Sequence, residues 1–302
     1  MPTRGHSAFT IVDDRQLHYL WWGRRDAPAV VCLHGGAQTA YMWETLGAAL
    51  ADRYFVFAPD LPGHGDSDVD LSVAGTTAGI DRRALADSVE QALDHIGIDT
   101  AAFVGASLGG ITSLTIASQS PTRVSAIALV DIGHRLEDEG VKRIVEFMTK
   151  HESFASLEDA AVAVGEYLPN RSAPSSPDRL RRNLRQRADG RWEWKHALGR
   201  QLRDASARQG EGASGGEPSF EPGNWRALTA GMDAELAHIE CPVLVLRGAK
   251  SDVLSDEGAQ EATNLIPNAR LATIGSAGHH AAGDNPETTV TLVSTFFSEV
   301  GW

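Results

Sequence analysis

Five short apolar runs constrain this chain more than any other feature: Ala29 to Leu33, Tyr54 to Ala58, Ala101 to Val104, Val124 to Val130 and Pro242 to Leu246. Each is apolar at nearly every position and rich in β-branched or aromatic residues. A strand with apolar side chains on both faces must be covered on both faces, which is the condition of a central strand in a parallel sheet. Segments of helical spacing alternate with these runs, at 40–51, 80–96, 111–119 and 255–266, with a terminal helix at 286–300. The order predicts an α/β fold, a mostly parallel sheet with helices on both faces. Residues 8–12 and 15–23 read as an antiparallel hairpin turning at Asp13-Asp14, and Arg270 to Ile274 reads as a last short strand.

Ligands of such sheets lie at the C-terminal ends of the strands. His34, Asp60, Ser107 and Asp131 each stand at or just after such an end, so they are expected to share one crevice. The third run supplies the strongest chemical signal. It stops at Gly105-Ala106-Ser107-Leu108-Gly109 and opens onto an apolar helical segment. This is the G-x-S-x-G spacing of a nucleophile elbow. A serine that must project from a tight turn needs neighbours with almost no side chain two positions away. The turn also places Ser107 at a helix N-terminus, where free N–H groups favour developing negative charge.

A serine hydroxyl is a weak nucleophile near neutral pH. It needs a base, and the base needs a group to fix its tautomer and stabilise its charged form. The elbow arrangement supplies these in the chain order Ser, Asp or Glu, His. Ser107, Asp252 and His279 occur in that order, each just after an expected strand, with Asp131 as the alternative acid. His280 neighbours His279, but adjacent side chains point apart, so one of the two is expected to reach Ser107. Oxyanion donors are expected from the N–H of Leu108 and from the glycine loop after Leu33, at Gly36, with Ala37 next. His34 reads as a brace for that loop, and Asp60 and His64 as side chains holding their own turn.

Together His34-Gly35-Gly36, Asp60-Leu61-Pro62-Gly63-His64-Gly65-Asp66-Ser67, the elbow, Asp252 and Gly278-His279 ahead of Asn285-Pro286 resemble the α/β-hydrolase fold family. The resemblance covers nearly the whole chain except residues 205–223. It implies an eight-stranded sheet with a helical cap inserted after the sixth strand, and an enzyme that uses no cofactor. Branches of the family that remove halide or open epoxides carry aspartate at the elbow; Ser107 disfavours those chemistries here.

The 302 residues suffice for one large domain with an insertion, and the formal charge of −13 argues against nucleic-acid and anionic-membrane partners. Cys32 and Cys241 sit in or beside strands and read as buried thiols. No histidine pair has ligand spacing, so no metal is expected. The N-terminus has no apolar segment of the signal-peptide kind, which predicts a cytoplasmic protein acting on a small molecule, with homo-oligomerisation left open.

Residues 134–237 read as an inserted helical cap between core segments 1–133 and 238–302, with helices at 136–150, 156–168, 176–188 and 224–237. Within it, 205–223 is rich in Gly, Ser, Glu and Pro, as a surface insertion or a movable flap would be. Substrate contacts are expected from Gly35, Tyr41, Trp43, Phe147, Trp192 and Trp194, with Met148, Phe154 and Tyr167 as further apolar candidates. The expected reaction is hydrolysis of a carboxylic ester or lactone of a small to medium apolar or aromatic substrate. Carbon–carbon bond hydrolysis, perhydrolysis, or ligand sensing on the same scaffold are the alternatives.

Overall fold

The computed structural model describes residues 4–69, 80–171, 175–196 and 223–302, the side chains of 223–225 excepted. Most of the 205–223 stretch lies outside these residues. Eight strands form one sheet: β1 (His6–Val12), β2 (Arg15–Trp22), β3 (Ala29–Leu33), β4 (Phe55–Pro59), β5 (Ala101–Ala106), β6 (Val124–Val130), β10 (Val243–Gly248) and β11 (Ala269–Ile274). Their order in space is β1-β2-β4-β3-β5-β6-β10-β11. The hairpin β1–β2 and the pair β2–β4 are antiparallel; every other pair is parallel. The hairpin turns on Asp13 and Asp14, both at positive φ (48° and 59°), the turn geometry that matches the twist of paired strands.

Alternate residues of the central strands feed two separate cores. Val31, Leu33, Phe57, Phe103, Ile127, Leu129 and Val245 pack on one face against helices α2 (Arg82–Ile96) and α3 (Leu108–Gln119), through Leu85, Val89, Ile111 and Leu114. Val30, Cys32, Val56, Val104, Ala128, Val130 and Leu246 pack on the other face. There they meet Leu46 and Leu50 of α1 (Glu44–Leu50) and Val293, Phe296 and Phe297 of the terminal helix Pro286–Glu299. Trp43 belongs to this second core and is wholly buried, so it packs the interior and presents no face to a ligand. Cys32 is buried beside it, and burial pushes its thiol pKa far up; that of Cys241 is pushed up to about 11.

β6 and β10 are neighbours in the sheet, and no described residue between them adds a strand to it. The inserted segment carries α4 (Asp138–Lys150) and α5 (Leu157–Tyr167) where helices are expected. Two expectations fail. The helix read over 176–188 spans only Pro177–Leu180. Its continuation turns into β8 (Leu184–Gln186), which joins β9 (Trp192–Trp194) and β7 (Ser153–Phe154) in a three-stranded antiparallel sheet. Tertiary pairing overrides the helical spacing there: Asn183 O accepts Lys195 N, and its side chain is bonded by Thr39 Oγ1. The helix read over 224–237 is broken in two by Gly231, at φ 76°.

Candidate active site

The elbow is built from steric necessity. A side chain on Gly105 would place its Cβ 2.5 Å from Gly109 O, and one on Gly109 would reach 2.1 Å from Leu33 O. Both distances are forbidden, so α3 can approach β5 this closely only with glycine at 105, and β3 only with glycine at 109. Between them Ser107 takes φ 48°, ψ −116°, outside the regions that non-glycine residues ordinarily occupy. Such strain costs on the order of 1–3 kcal/mol and persists only where the surroundings over-determine it. Here Ser107 N donates to Val130 O (3.2 Å), and Ser107 O accepts from Gly110 N and Ile111 N (2.9 and 3.0 Å). The residue is left partly exposed at the strand ends.

Asp131 follows directly after β6, also at positive φ (53°), and is wholly buried. Its backbone N donates to Leu246 O at 2.7 Å. Its Oδ1 accepts Gly248 N (2.7 Å), and its Oδ2 accepts Ser251 Oγ (2.5 Å) and His279 Nδ1 (2.8 Å). Three donors suit an ionised carboxylate. Because Nδ1–H donates to Asp131, Nε2 of His279 carries the free lone pair. Nothing among the described residues hydrogen-bonds to His279 Nε2 or Ser107 Oγ.

Asp252, the acid expected first, is not the partner of His279. It sits on the loop beyond β10, partly exposed, and forms an ion pair with Arg143 of α4 (2.8 Å). The reason is reach. Asp131 occupies the first position past its strand, so its side chain reaches His279; Asp252 lies four residues past Gly248 and turns outward to Arg143. The residue of that loop that bonds Asp131 is Ser251, and its place in the sequence carries no signal of this.

The loop after β3 faces the elbow. A Cβ on Gly35 would stand 3.3 Å from Ser107 Cβ. His34 is buried and braces this loop as expected. Its Nε2 accepts Leu61 N (2.9 Å), so Nδ1 must carry the proton and donate to Gly35 O (2.8 Å). Burial holds its pKa below the ordinary range. Gly35 N is used by Gln38 Oε1 (3.0 Å), whereas no described residue takes the N–H of Gly36. Leu108 is the first residue of α3, so its N–H has no partner within the helix.

A second buried pair lies on the other side of the loop. Asp60 Oδ2 bonds His18 Nδ1 (2.6 Å), and Ser7 Oγ bonds His18 Nε2 (2.9 Å). Asp60 also accepts Ala40 N and Asp66 N; burial is the largest single influence and raises its pKa, but the bond to His18, the charges of His34 and His18 and the Ala40 N–H together hold it below the ordinary value. His18, Asp60 and Asp66 are close enough to form a metal-ligand set. Their donors are already committed to one another, to backbone and, for Asp66, to Lys195 Nζ at 2.8 Å. His64 is buried nearby with its pKa pushed down to about 3, chiefly by burial.

Residues 28–286 match the family described as the alpha/beta hydrolase fold. The chain belongs to the α/β-hydrolase family. Curated relatives of this α/β-hydrolase include Esterase Rv0045c of Mycobacterium tuberculosis, 25% identical over 91% of this chain and 84% of that protein. Another is the 3-hydroxybutyrate-oligomer hydrolase of Cupriavidus necator, 26% identical over 94% and 93%. Among solved structures, E-2-(acetamidomethylene)succinate hydrolase superposes with a TM-score of 0.78 at 20% identity, covering 97% of this chain and 99% of that one.

In this hydrolase the inserted segment reaches the strand ends at several points. Tyr167 sets its ring edge-on against His280 (5.7 Å between centroids) and stacks on Phe147 (4.1 Å). Trp194 lies 6.1 Å from Phe147 and bonds His151 O through its indole N–H (3.1 Å). Trp192 is on the same face of β9, two residues away, under the Arg181 guanidinium. Phe154 is buried in the core of the insertion, whereas Met148 is buried with Val145 against Ala37 of the loop after β3 and Ile80. Tyr41 is partly exposed and stacks on His18, beneath Arg182. No described helix is long and apolar enough to cross a membrane.

Proposed function

We propose that this α/β-hydrolase is a serine hydrolase that cleaves a carboxylic ester or lactone through an acyl-enzyme. The observation that carries the reading is the Asp131–His279 bond (2.8 Å) at the same strand ends where Ser107 stands on a strained elbow. Ser107 Oγ attacks the substrate carbonyl and gives its proton to His279 Nε2. Asp131 stabilises the imidazolium that forms. The negative charge on the former carbonyl oxygen is received by the N–H groups of Gly36 and Leu108. His279 then returns the proton to the leaving alkoxide. A water deprotonated by His279 attacks the acyl carbon, Ser107 Oγ recovers the proton, and the carboxylic acid departs. The Ser107–His279 hydrogen bond closes as substrate fills the crevice, since such bonds are often long in free enzymes.

The insertion acts as a cap. Its contacts Thr39–Asn183 (2.8 Å), Asp66–Lys195 (2.8 Å) and His280–Tyr167 support a cap at the strand ends. Phe147, Tyr167 and Trp194 offer an aromatic wall beside the histidine loop, which supports a small to medium apolar or aromatic substrate. The names of the two curated relatives, an esterase and an oligomer hydrolase, agree with this reading. A panel of nitrophenyl esters of increasing chain length and a set of lactones tests it. Hydrolysis is expected to peak at short to medium acyl chains and to vanish in Ser107→Ala. A preference for long chains would contradict the substrate class, and turnover persisting in Ser107→Ala would contradict the mechanism.

A further inference from the structure

We propose that Gln38 and His280 form a positioning bridge that holds the oxyanion loop in register with the histidine loop, so that the bridge governs the chemical step rather than substrate binding. The inference rests on the serine-hydrolase reading and goes beyond it by assigning roles to two residues that touch no reacting atom.

The bridge follows from what an amide side chain can do. Gln38 has one acceptor end and one donor end. Oε1 accepts Gly35 N (3.0 Å), and Nε2 donates to His280 Nδ1 (2.8 Å). Gln38 N also donates to Gly35 O (3.2 Å), which closes the turn through Gly36 and Ala37, the latter at φ 61°. Both polar groups of Gly35 are therefore consumed inside the loop, while the N–H of Gly36 has no partner among the described residues. The fit is tight: a Cβ on Gly35 would lie 2.6 Å from Gln38 Oε1.

The other end of the bridge is equally constrained. Because Gln38 presents NH2, His280 must accept at Nδ1, so the ring is neutral with its proton on Nε2. Burial, followed by the charges of His279, Arg171 and Arg143, holds its pKa well below the ordinary range, which keeps that acceptor available. Tyr167 closes the far side of the ring. His280 is bonded in sequence to His279, whose Nδ1 is fixed by Asp131. One side chain thus spans 242 residues of sequence to join the loop that receives the oxyanion to the loop that carries the base.

The test measures kcat and KM for an ester that the wild-type enzyme hydrolyses, in Gln38→Met, Gln38→Glu, His280→Phe and the Gln38→Met/His280→Phe double variant. Active-site titration counts competent sites, so partial misfolding does not mimic a slow step. Gln38→Met keeps the side-chain length and loses both bonds. It is expected to lower kcat about 10- to 100-fold with KM within about threefold, the scale of a small misplacement of catalytic groups. Gln38→Glu can keep both bonds if His280 moves its proton to Nδ1, and is expected to recover most of that loss. The double variant is expected to be no slower than the worse single one, because the bridge is broken once. An unchanged kcat per site in Gln38→Met, a change confined to KM, or additive losses in the double variant would each overturn the bridge. Those outcomes leave the serine-hydrolase reading standing. A wild-type enzyme that turns over no ester and is not acylated at Ser107 would sink both.

Discussion

Two Asp–His–Ser sets stand on either side of the glycine loop, and their difference is the ground on which one of them is proposed as the active site. Asp60, His18 and Ser7 are fully hydrogen-bonded, at 2.6 and 2.9 Å. Asp131, His279 and Ser107 share one bond of 2.8 Å and leave the serine and Nε2 without described partners. By contact distance alone the first set looks better formed. Its serine, however, sits in a regular edge strand, with Ser7 opposite Leu20 in the hairpin register. No strained turn projects it, and no helix begins beside it. Ser107 has both, and the N–H groups of Leu108 and Gly36 lie without described partners beside it. A place for negative charge to develop, more than the proton relay, is what the proposal for Ser107 rests on.

The largest effects break that comparison outright. Ser107→Ala is expected to remove turnover to within a small residue of the uncatalysed rate, whereas Ser7→Ala leaves kcat within about twofold; steady-state rates on one ester compare them. Losing a nucleophile costs on the order of 10⁶ in kcat where the triad operates. Asp131→Asn comes next, with an expected fall near 10⁴, because the wrong histidine tautomer is then favoured. Its contrast is Asp252→Asn, which breaks only a part-exposed pair with Arg143 and should change kcat less than about threefold. A large loss at Asp252 with a small one at Asp131 would reverse the acid assignment.

Asp60→Ala removes one partner of a buried pair and strips Ala40 N and Asp66 N of their acceptor. It is expected to cost about 3–5 kcal/mol of stability in urea unfolding, with the activity of the remaining folded enzyme largely kept. A stable variant with lost activity would move this second set into the catalytic machinery.

The last effect concerns pH, and for any one histidine it is the smallest. His64 has a depressed pKa, near 3 when folded against about 6.5 when unfolded, and His34 and His280 shift the same way. The unfolded chain therefore binds more protons between those values. The stabilisation is fully present above about pH 6.5 and is lost as pH falls toward 3, by about 1.4 kcal/mol per pH unit for each proton taken up. Urea midpoints at pH 7 and pH 5 should show the fall, and His64→Asn should make it shallower.

Much of this was legible in the sequence because it depends on local rules. The apolar runs marked the central strands, and Gly105-Ala106-Ser107-Leu108-Gly109 marked a turn whose glycines the backbone demands. His34 as a loop brace was readable for the same reason. What escaped depends on reach across the fold. Asp131 and Asp252 both follow strands, and only the direction of the chain past β6 and β10 decides which enters the crevice. The strands β7, β8 and β9 are two or three residues long, too short for a period of two to show. Trp43 has the composition of a pocket residue, yet its place in the second core fixes it as packing. Gln38 carries no signal at all until the fold brings His280 against it.

The most direct test of the central claim is peptide mapping after labelling the intact enzyme with a fluorophosphonate. One adduct per chain is expected, on Ser107, abolished in His279→Ala and unaffected in His18→Ala. An adduct on Ser7, or labelling that survives the loss of Ser107, would contradict it.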